Sequence, residues 1–350
     1  MIQHWLDPIS NETHQLIRNS NLCAHISVYH TAFPEITNGN LAIIGTDATA
    51  DRIRQSFYTT LKWQFGDLKV VDFGNLKKNE EMFLQPILQE LIEGNIHPIL
   101  LGTDHANQMV IHRVLLAKYK RITYANVSAY LPEIAIAPPV TCQPIAYQLH
   151  FLETERLHQL DTLFKHHLRL SAYRADNESA EVLLRNSAYV NFDLSSVKAA
   201  EAPGQQNASP NGLISEEWCQ LHRFAGIGDG IQLTSISGFV PDNDRSEQTA
   251  RLIAHGLWYF MDGYSSRIGD YPFSVNNLVE YVVDIPALEQ YHVTFWKSTK
   301  SGRWWLNVQL HNAPNSQKRN LTPCTYSDYL QSCNNEIPER LYHAIDSLEM

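Results

Sequence analysis

Short β-branched and apolar runs recur along the chain, and each is followed by a longer stretch with helical spacing. The runs are 41–45 (LAIIG), 68–73 (LKVVDF), 97–101 (HPILL, closed by Gly102), 122–127 (ITYANV), 188–192 (AYVNF) and 231–236 (IQLTSI). None alternates strictly between apolar and polar residues. Strands of that kind are buried on both faces, as in a parallel sheet. Helical spacing fills the intervals at 51–61, 79–93, 109–119, 215–225 and 246–261. This pattern predicts an α/β fold, a three-layer αβα arrangement around a mostly parallel sheet. In such sheets the chemistry sits just beyond the C-terminal ends of the strands. The residues that follow each apolar run are therefore the ones to read for function.

The last 75 residues change character. Residues 279–285 (VEYVVDI), 292–297 (HVTFWK) and 303–310 (RWWLNVQL) read as three strands, with a turn at 298–302, a loop at 311–323 and a final helix at 337–348 begun by Pro338. The chain is thus expected to divide into an α/β domain, 1–275, and a β-rich C-terminal extension with a terminal helix, 276–350. Trp304 and Trp305 point to opposite faces of one strand, so one of them is expected to pack on the larger domain.

Composition narrows the function classes. At 44 % hydrophobic and 18 % charged residues, 350 residues have ample material for a core. The 27 Lys and Arg against 37 Asp and Glu give a net charge of −10, which argues against a nucleic-acid partner or an anionic-membrane surface. No apolar run is long enough to span a bilayer, and the first residues lack a basic start followed by an apolar stretch. The five cysteines (23, 142, 219, 324 and 333) form no CxxC pair, so neither a disulfide framework nor a zinc knot is expected. A cytoplasmic protein without membrane insertion follows. Cys219 reads as a core residue, and His166 and His167 as the solvated face of a helix. GxSxG, GxxxxGK[ST] and HExxH are all missing from the sequence, and the glycines at 226, 228 and 230 follow a helix rather than a strand.

Four post-strand segments carry a more specific signal. They are Leu101-Gly-Thr-Asp-His105, Asn126-Val-Ser-Ala-Tyr-Leu-Pro132, Asn191-Phe-Asp-Leu-Ser195 running on through Val197 to Ala202-Pro-Gly204, and Ser237-Gly-Phe-Val-Pro241. In order and separation, over about residues 40–265, they resemble the ureohydrolase superfamily of arginase, agmatinase and formimidoylglutamase. That family carries GGDH, DAHxD, FDxDxxDPxxAPG and MEVNP at these places. Pro210-Asn-Gly-Leu213 resembles a further family element, and the tail resembles an extension found in a divergent bacterial branch.

The resemblance implies an arginase-like fold and, for active members, two Mn²⁺ ions held by two His and four Asp. Mapped residue by residue, His105 and Asp193 are the only ligand positions retained. The DAHxD ligands become Ser128, Tyr130 and Pro132, the second Asp of FDxD becomes Ser195, and the acidic residue of MEVNP becomes Gly238. Serine and neutral tyrosine are poor ligands for a hard dication, and proline has no side-chain donor at all. One aspartate against two dications leaves about three positive charges unbalanced. The expectation is a ureohydrolase-like protein without a manganese centre or other cofactor, with no catalytic residues. Its vestigial pocket is formed by His105, Ser128, Tyr130, Asp193, Ser195 and Gly238. Such a chain acts as a binding or scaffolding protein. Family resemblance implies a homo-oligomer, and a protein partner fits the same reading. The alternative is a manganese-dependent hydrolase of a guanidine or amidine C–N bond, such as that of formimidoylglutamate or arginine. Its replacement ligands would be Asp104, Glu133 or Glu201.

Overall fold

The computed structural model describes residues 2–35, 40–132, 139–310 and 321–349. Its centre is a ten-stranded sheet: β1 (Leu6–Asp7), β2 (Ile26–Val28), β3 (Leu41–Gly45), β4 (Val70–Leu76), β5 (His97–Thr103), β6 (Ile122–Val127), β7 (Val140–Tyr147), β8 (Leu168–Arg169), β9 (Tyr189–Asp193) and β10 (Leu233–Ser237). The spatial order is β1-β4-β3-β5-β10-β9-β6-β7-β8, with β2 also on β4, and every pairing except β1 with β4 is parallel. Strands β3 and β4 are buried along their whole length; β3 reads accordingly as an apolar run, and the polar residues of β4, Asp72 and Asn75, are bonded by buried Arg54.

The helices are α1 (Asn11–Ile17), α2 (Ala50–Thr60), α3 (Glu81–Glu93), α4 (His105–Lys118), α5 (Thr154–His158), α6 (Leu160–Leu163), α7 (Leu170–Ala175), α8 (Glu178–Arg185), α9 (Ser215–Ile227) and α10 (Gln248–Ser265). One face of the sheet is sealed by a cluster that includes Phe57 of α2, Trp218 of α9 and Phe260 of α10. The other is sealed by a cluster that includes Leu88 of α3 and Ile111 of α4. The three-layer αβα arrangement is thus present, with a separate antiparallel sheet at the C-terminal end.

That second sheet runs β11 (Leu278–Val283), β12 (Tyr291–Ser298), β13 (Trp304–Leu310) and β14 (Thr322–Cys324), all antiparallel, with helices α11 (Tyr326–Cys333) and α12 (Glu339–Glu349). Strand β14 falls where a loop was expected; residues 311–320 of that loop lie outside the described residues. Alternation places Trp304 in the small sheet's own core with Tyr281 and Tyr329. Trp305 faces the other way, 4.6 Å from the guanidinium of Arg185 on α8. Arg303 adds ion pairs to Glu181 of α8 at 3.2 Å and to Asp229 at 3.5 Å. The extension is therefore riveted to α8 and to the turn before β10.

Two local expectations are corrected. His166 and His167 lie in a turn before β8, not on a solvated helix. His167 bridges the Tyr147 hydroxyl (2.8 Å) and Asp161 (3.0 Å). His166 packs on His343 of α12 at 5.0 Å, and burial pushes it down to about 4. The helix expected from residue 109 starts at His105, because Asp104 caps it there. Cys219 is buried as expected, and burial pushes its thiol up to about 12.

Candidate functional site

The C-terminal ends of β5, β10, β9 and β6 lie side by side and bring the four post-strand segments together. Register fixes which side chains meet. Asn126 of β6 pairs with Asn191 of β9, and Asn191 with Ser235 of β10; one step further along, Asp193 pairs with Ser237. Side chains two apart on a strand share a face, so these polar residues form one continuous ladder across three strands.

The ladder is hydrogen-bonded throughout. The Tyr189 hydroxyl and Ser235 Oγ meet at 2.7 Å, and Ser235 Oγ donates to Asn191 Oδ1 at 2.7 Å. Asn191 Nδ2 donates to Asn126 Oδ1 (3.0 Å) and Ser237 Oγ (3.3 Å). Ser237 Oγ donates in turn to Asp193 Oδ2 at 3.0 Å. The other carboxylate oxygen of Asp193 accepts the Ser195 backbone N–H at 2.8 Å. Ser195 Oγ then meets Ser128 Oγ at 3.2 Å and accepts the Ala129 N–H at 3.3 Å, while Ser128 Oγ accepts the Tyr130 N–H at 3.2 Å. Both oxygens of Asp193 are thus engaged by protein donors.

Ser128, Asp193 and Ser195 are brought together; Tyr130 joins this chain of bonds only through its backbone N–H, and the side chains of His105 and Tyr130 stand apart from it. His105 opens α4 and is exposed. The residue beside it does the structural work. Asp104 Oδ1 accepts the Asn107 N–H at 2.8 Å, and Asn107 Oδ1 accepts the Asp104 N–H at 2.9 Å, a reciprocal capping box. Tyr130 is half-buried, with its ring 4.7 Å from Phe151. Pro132 offers only its carbonyl, which accepts from Arg156 Nη2 at 2.8 Å. Gly238 has φ +83°, a left-handed turn that disfavours any side-chain-bearing residue. Its segment turns past Asp193 Oδ1 with room for no more than ordinary contact, 3.5 Å from an added Cβ.

Of the replacement ligands for a metal, Asp104 is committed to capping, and Glu201 accepts from the Ser215 hydroxyl and lies 4.0 Å from Lys198. Glu133 lies outside the described residues. Among the described residues, no three His, Cys, Asp or Glu side chains converge as a metal-holding group. The donors at the mapped positions, two hydroxyls around one doubly bonded carboxylate, do not fit a pair of hard dications. They do fit a self-satisfied polar network, which rigidifies a core when every member is bonded.

Asn126, Asn191 and Ser237 open three of the post-strand segments singled out in the sequence, without a role of their own there, and Tyr189, Ser235 and His112 lie outside those segments. The signal for most of them was polar residues spaced by two on otherwise apolar strands. His112 of α4 packs its ring on Tyr124 (4.6 Å) and Tyr189 (5.8 Å), behind the ladder. Its Nε2 is buried with no hydrogen-bond partner among the described residues, and burial, with a smaller push from His105, lowers it to about 4.

Compared by sequence, the chain matches no family model and no curated protein. Compared by structure, it matches Trypanosoma cruzi formiminoglutamase with Mn²⁺ at TM-score 0.59 and 16 % identity, covering 68 % of this chain and 97 % of that one. Formimidoylglutamase from Bacillus subtilis matches at 0.60 and 12 %, over 71 % and 92 % of the two chains. A hypothetical agmatinase from Burkholderia thailandensis matches at 0.54 and 14 %, over 67 % and 88 %. The chain has an arginase-like, ureohydrolase-like fold, with the second sheet added to it. At these identities the likeness is one of fold.

Proposed function

We propose that this chain is a non-hydrolytic protein of the ureohydrolase fold, without a dinuclear manganese centre, that works by binding rather than by turnover. The observation that carries the reading is the pair of bonds on Asp193. Ser195 N–H and Ser237 Oγ take up both of its oxygens, and the neighbouring mapped positions, Ser128 and Ser195, bond to each other. A carboxylate so engaged has each oxygen held by a donor of the protein itself, so its position and orientation do not depend on a cation. In this reading a small ligand is taken near His105, Tyr130 and Asp193, where exposed His105 and half-buried Tyr130 leave polar side chains to meet it. In this reading the protein is a homo-oligomer, acts in the cytoplasm as a binding or scaffolding partner, and divides at about residue 275 into frame and extension. Among the described residues no helix is long and apolar enough to cross a membrane.

The test is metal analysis of purified protein after Mn²⁺ loading, with assays for release of formamide from formimidoylglutamate and of urea from arginine. The expected result is less than one bound manganese per chain and no turnover above the metal-only control. Two manganese ions per chain together with either product would overturn it. Light scattering at several concentrations checks the oligomer, and a strictly monomeric chain would remove that part of the reading.

A further inference from the structure

The opposite, N-terminal ends of the central strands line a second cleft, which the extension closes on one side. One lobe of about 480 Å³ is bounded by His97, Lys118, Tyr119, Tyr264, Arg267 and Phe273. An adjoining lobe of about 310 Å³ lies against Arg121, Arg185, Tyr271 and Trp305, and shares Tyr119 and Pro272 with the first. Each is within the size range of small-molecule sites, ~300–1,000 Å³. Both combine apolar rings with a few polar groups.

The charge of this cleft runs against that of the chain. Lys118, Arg121, Arg185 and Arg267 all line it, and Asp229 is the one carboxylate among the lining residues, in a protein of net charge −10. Asp229 is already paired with Arg303 at 3.5 Å, and Arg185 lies 3.3 Å from Glu181. The other three cations have no carboxylate within ion-pair distance among the described residues. Arg267 feels Asp229 from beyond ion-pair distance and is held in place by a carbonyl and a ring, with Nε donating to Gly226 O at 2.8 Å and its guanidinium 4.0 Å from the Tyr264 ring centre. Lys118 Nζ donates to Ile92 O at 2.7 Å. Carbonyls orient a cation without neutralising it, so an arriving anion meets positive charge already in place.

We propose that this cleft binds an organic anion carrying a flat ring. Lys118, Arg121 and Arg267 take the anionic group, and Tyr119, Tyr264 and Phe273 take the ring. The chemistry is shared by aromatic carboxylates and nucleoside monophosphates. The site lies at the far end of the strands from Asp193, so it stands or falls independently of the hydrolase question.

The experiment is calorimetric titration of the full chain with indole-3-acetate and with AMP, with acetate, inorganic phosphate and adenosine as single-feature controls. One of the two ring-bearing anions is expected to bind at least about tenfold more tightly than any control, and added salt should weaken it. The arm that binds identifies the anion. Lys118→Gln with Arg121→Gln, two exposed side chains, should weaken binding about tenfold while the melting temperature of the free protein stays unchanged. Phe273→Ser, at an exposed ring, should weaken it by a different route, through loss of the ring contact. Equal affinity for a control, no binding by either ring-bearing anion at millimolar concentration, or full affinity in the double variant would overturn the proposal.

Discussion

Ser128 Oγ and Ser195 Oγ meet at 3.2 Å across the ends of β6 and β9, joining two loops through hydroxyls. Carboxylates at both positions would face each other, and Asp193, with no bond to offer. The double variant Ser128→Asp with Ser195→Asp is therefore expected to lose about 1–3 kcal/mol at neutral pH, from like-charge repulsion and lost bonds. Mn²⁺ should restore much of that loss, since a ligand of the folded state contributes about 2–3 kcal/mol at a hundredfold excess over its Kd. Thermal denaturation with and without Mn²⁺ checks this, and a manganese response equal to that of the wild type would refute it.

Asp193→Ala removes the acceptor for both the Ser195 N–H and the Ser237 hydroxyl. Leaving buried donors without a partner costs about 1–3 kcal/mol, read by urea denaturation. Asp193→Asn keeps a carbonyl acceptor in the same shape and should cost less. Equal losses for the two variants would show that shape, not hydrogen bonding, is what Asp193 supplies.

Stability should fall on mild acidification because of buried histidines. Burial lowers His112 to about 4 and His222 to about 3, and holds His97 well below its ordinary value. A histidine depressed in the folded state is protonated first in the unfolded chain, whose value is about 6.5. The native advantage is thus complete above about pH 6.5 and shrinks as pH falls toward the folded value. For His112 alone the loss between about pH 6.5 and 4 approaches 3 kcal/mol. His112→Leu also removes an unbonded Nε2, so it should flatten the acid limb by about one proton and cost little at pH 7. An unchanged slope of stability against pH would contradict this.

Trp305→Ala should cost about 3–5 kcal/mol, since the ring is 1 % exposed and covers Arg185. The extension should then part from the frame more readily. Limited proteolysis is expected to cut faster between α10 and β11, whereas Trp304→Ala, a lesion inside the small sheet, should speed cleavage within the extension itself. Indistinguishable digestion patterns would rule out a separate role for Trp305.

The central strands were legible because burial on both faces writes itself as an apolar run. Strand β7 was not, because Pro144 interrupts VTCQPIAY, and proline argues against a strand interior. It is accommodated because β8 pairs only with Ile145 and Tyr147, beyond the missing N–H. The start of α4 was misplaced because its first turn is polar, and the signal there was the capping pair Asp104 and Asn107 rather than periodicity. The spacing from Phe192 to Gly204 located Asp193 and Ser195. The polar ladder stayed hidden because Asn126, Asn191 and Ser235 are separated by 44 to 65 residues or more. They become neighbours only through the strand order β10-β9-β6, which local sequence does not encode.

Strands β1 and β8, at the two ends of the large sheet, are each two residues long. Rims this short give an incoming strand almost no template to zip against. At these two rims main-chain pairing has little to hold, so a contact made there is one of side chains. Side-chain contacts of that kind can be altered one residue at a time without disturbing the strand pairing behind them.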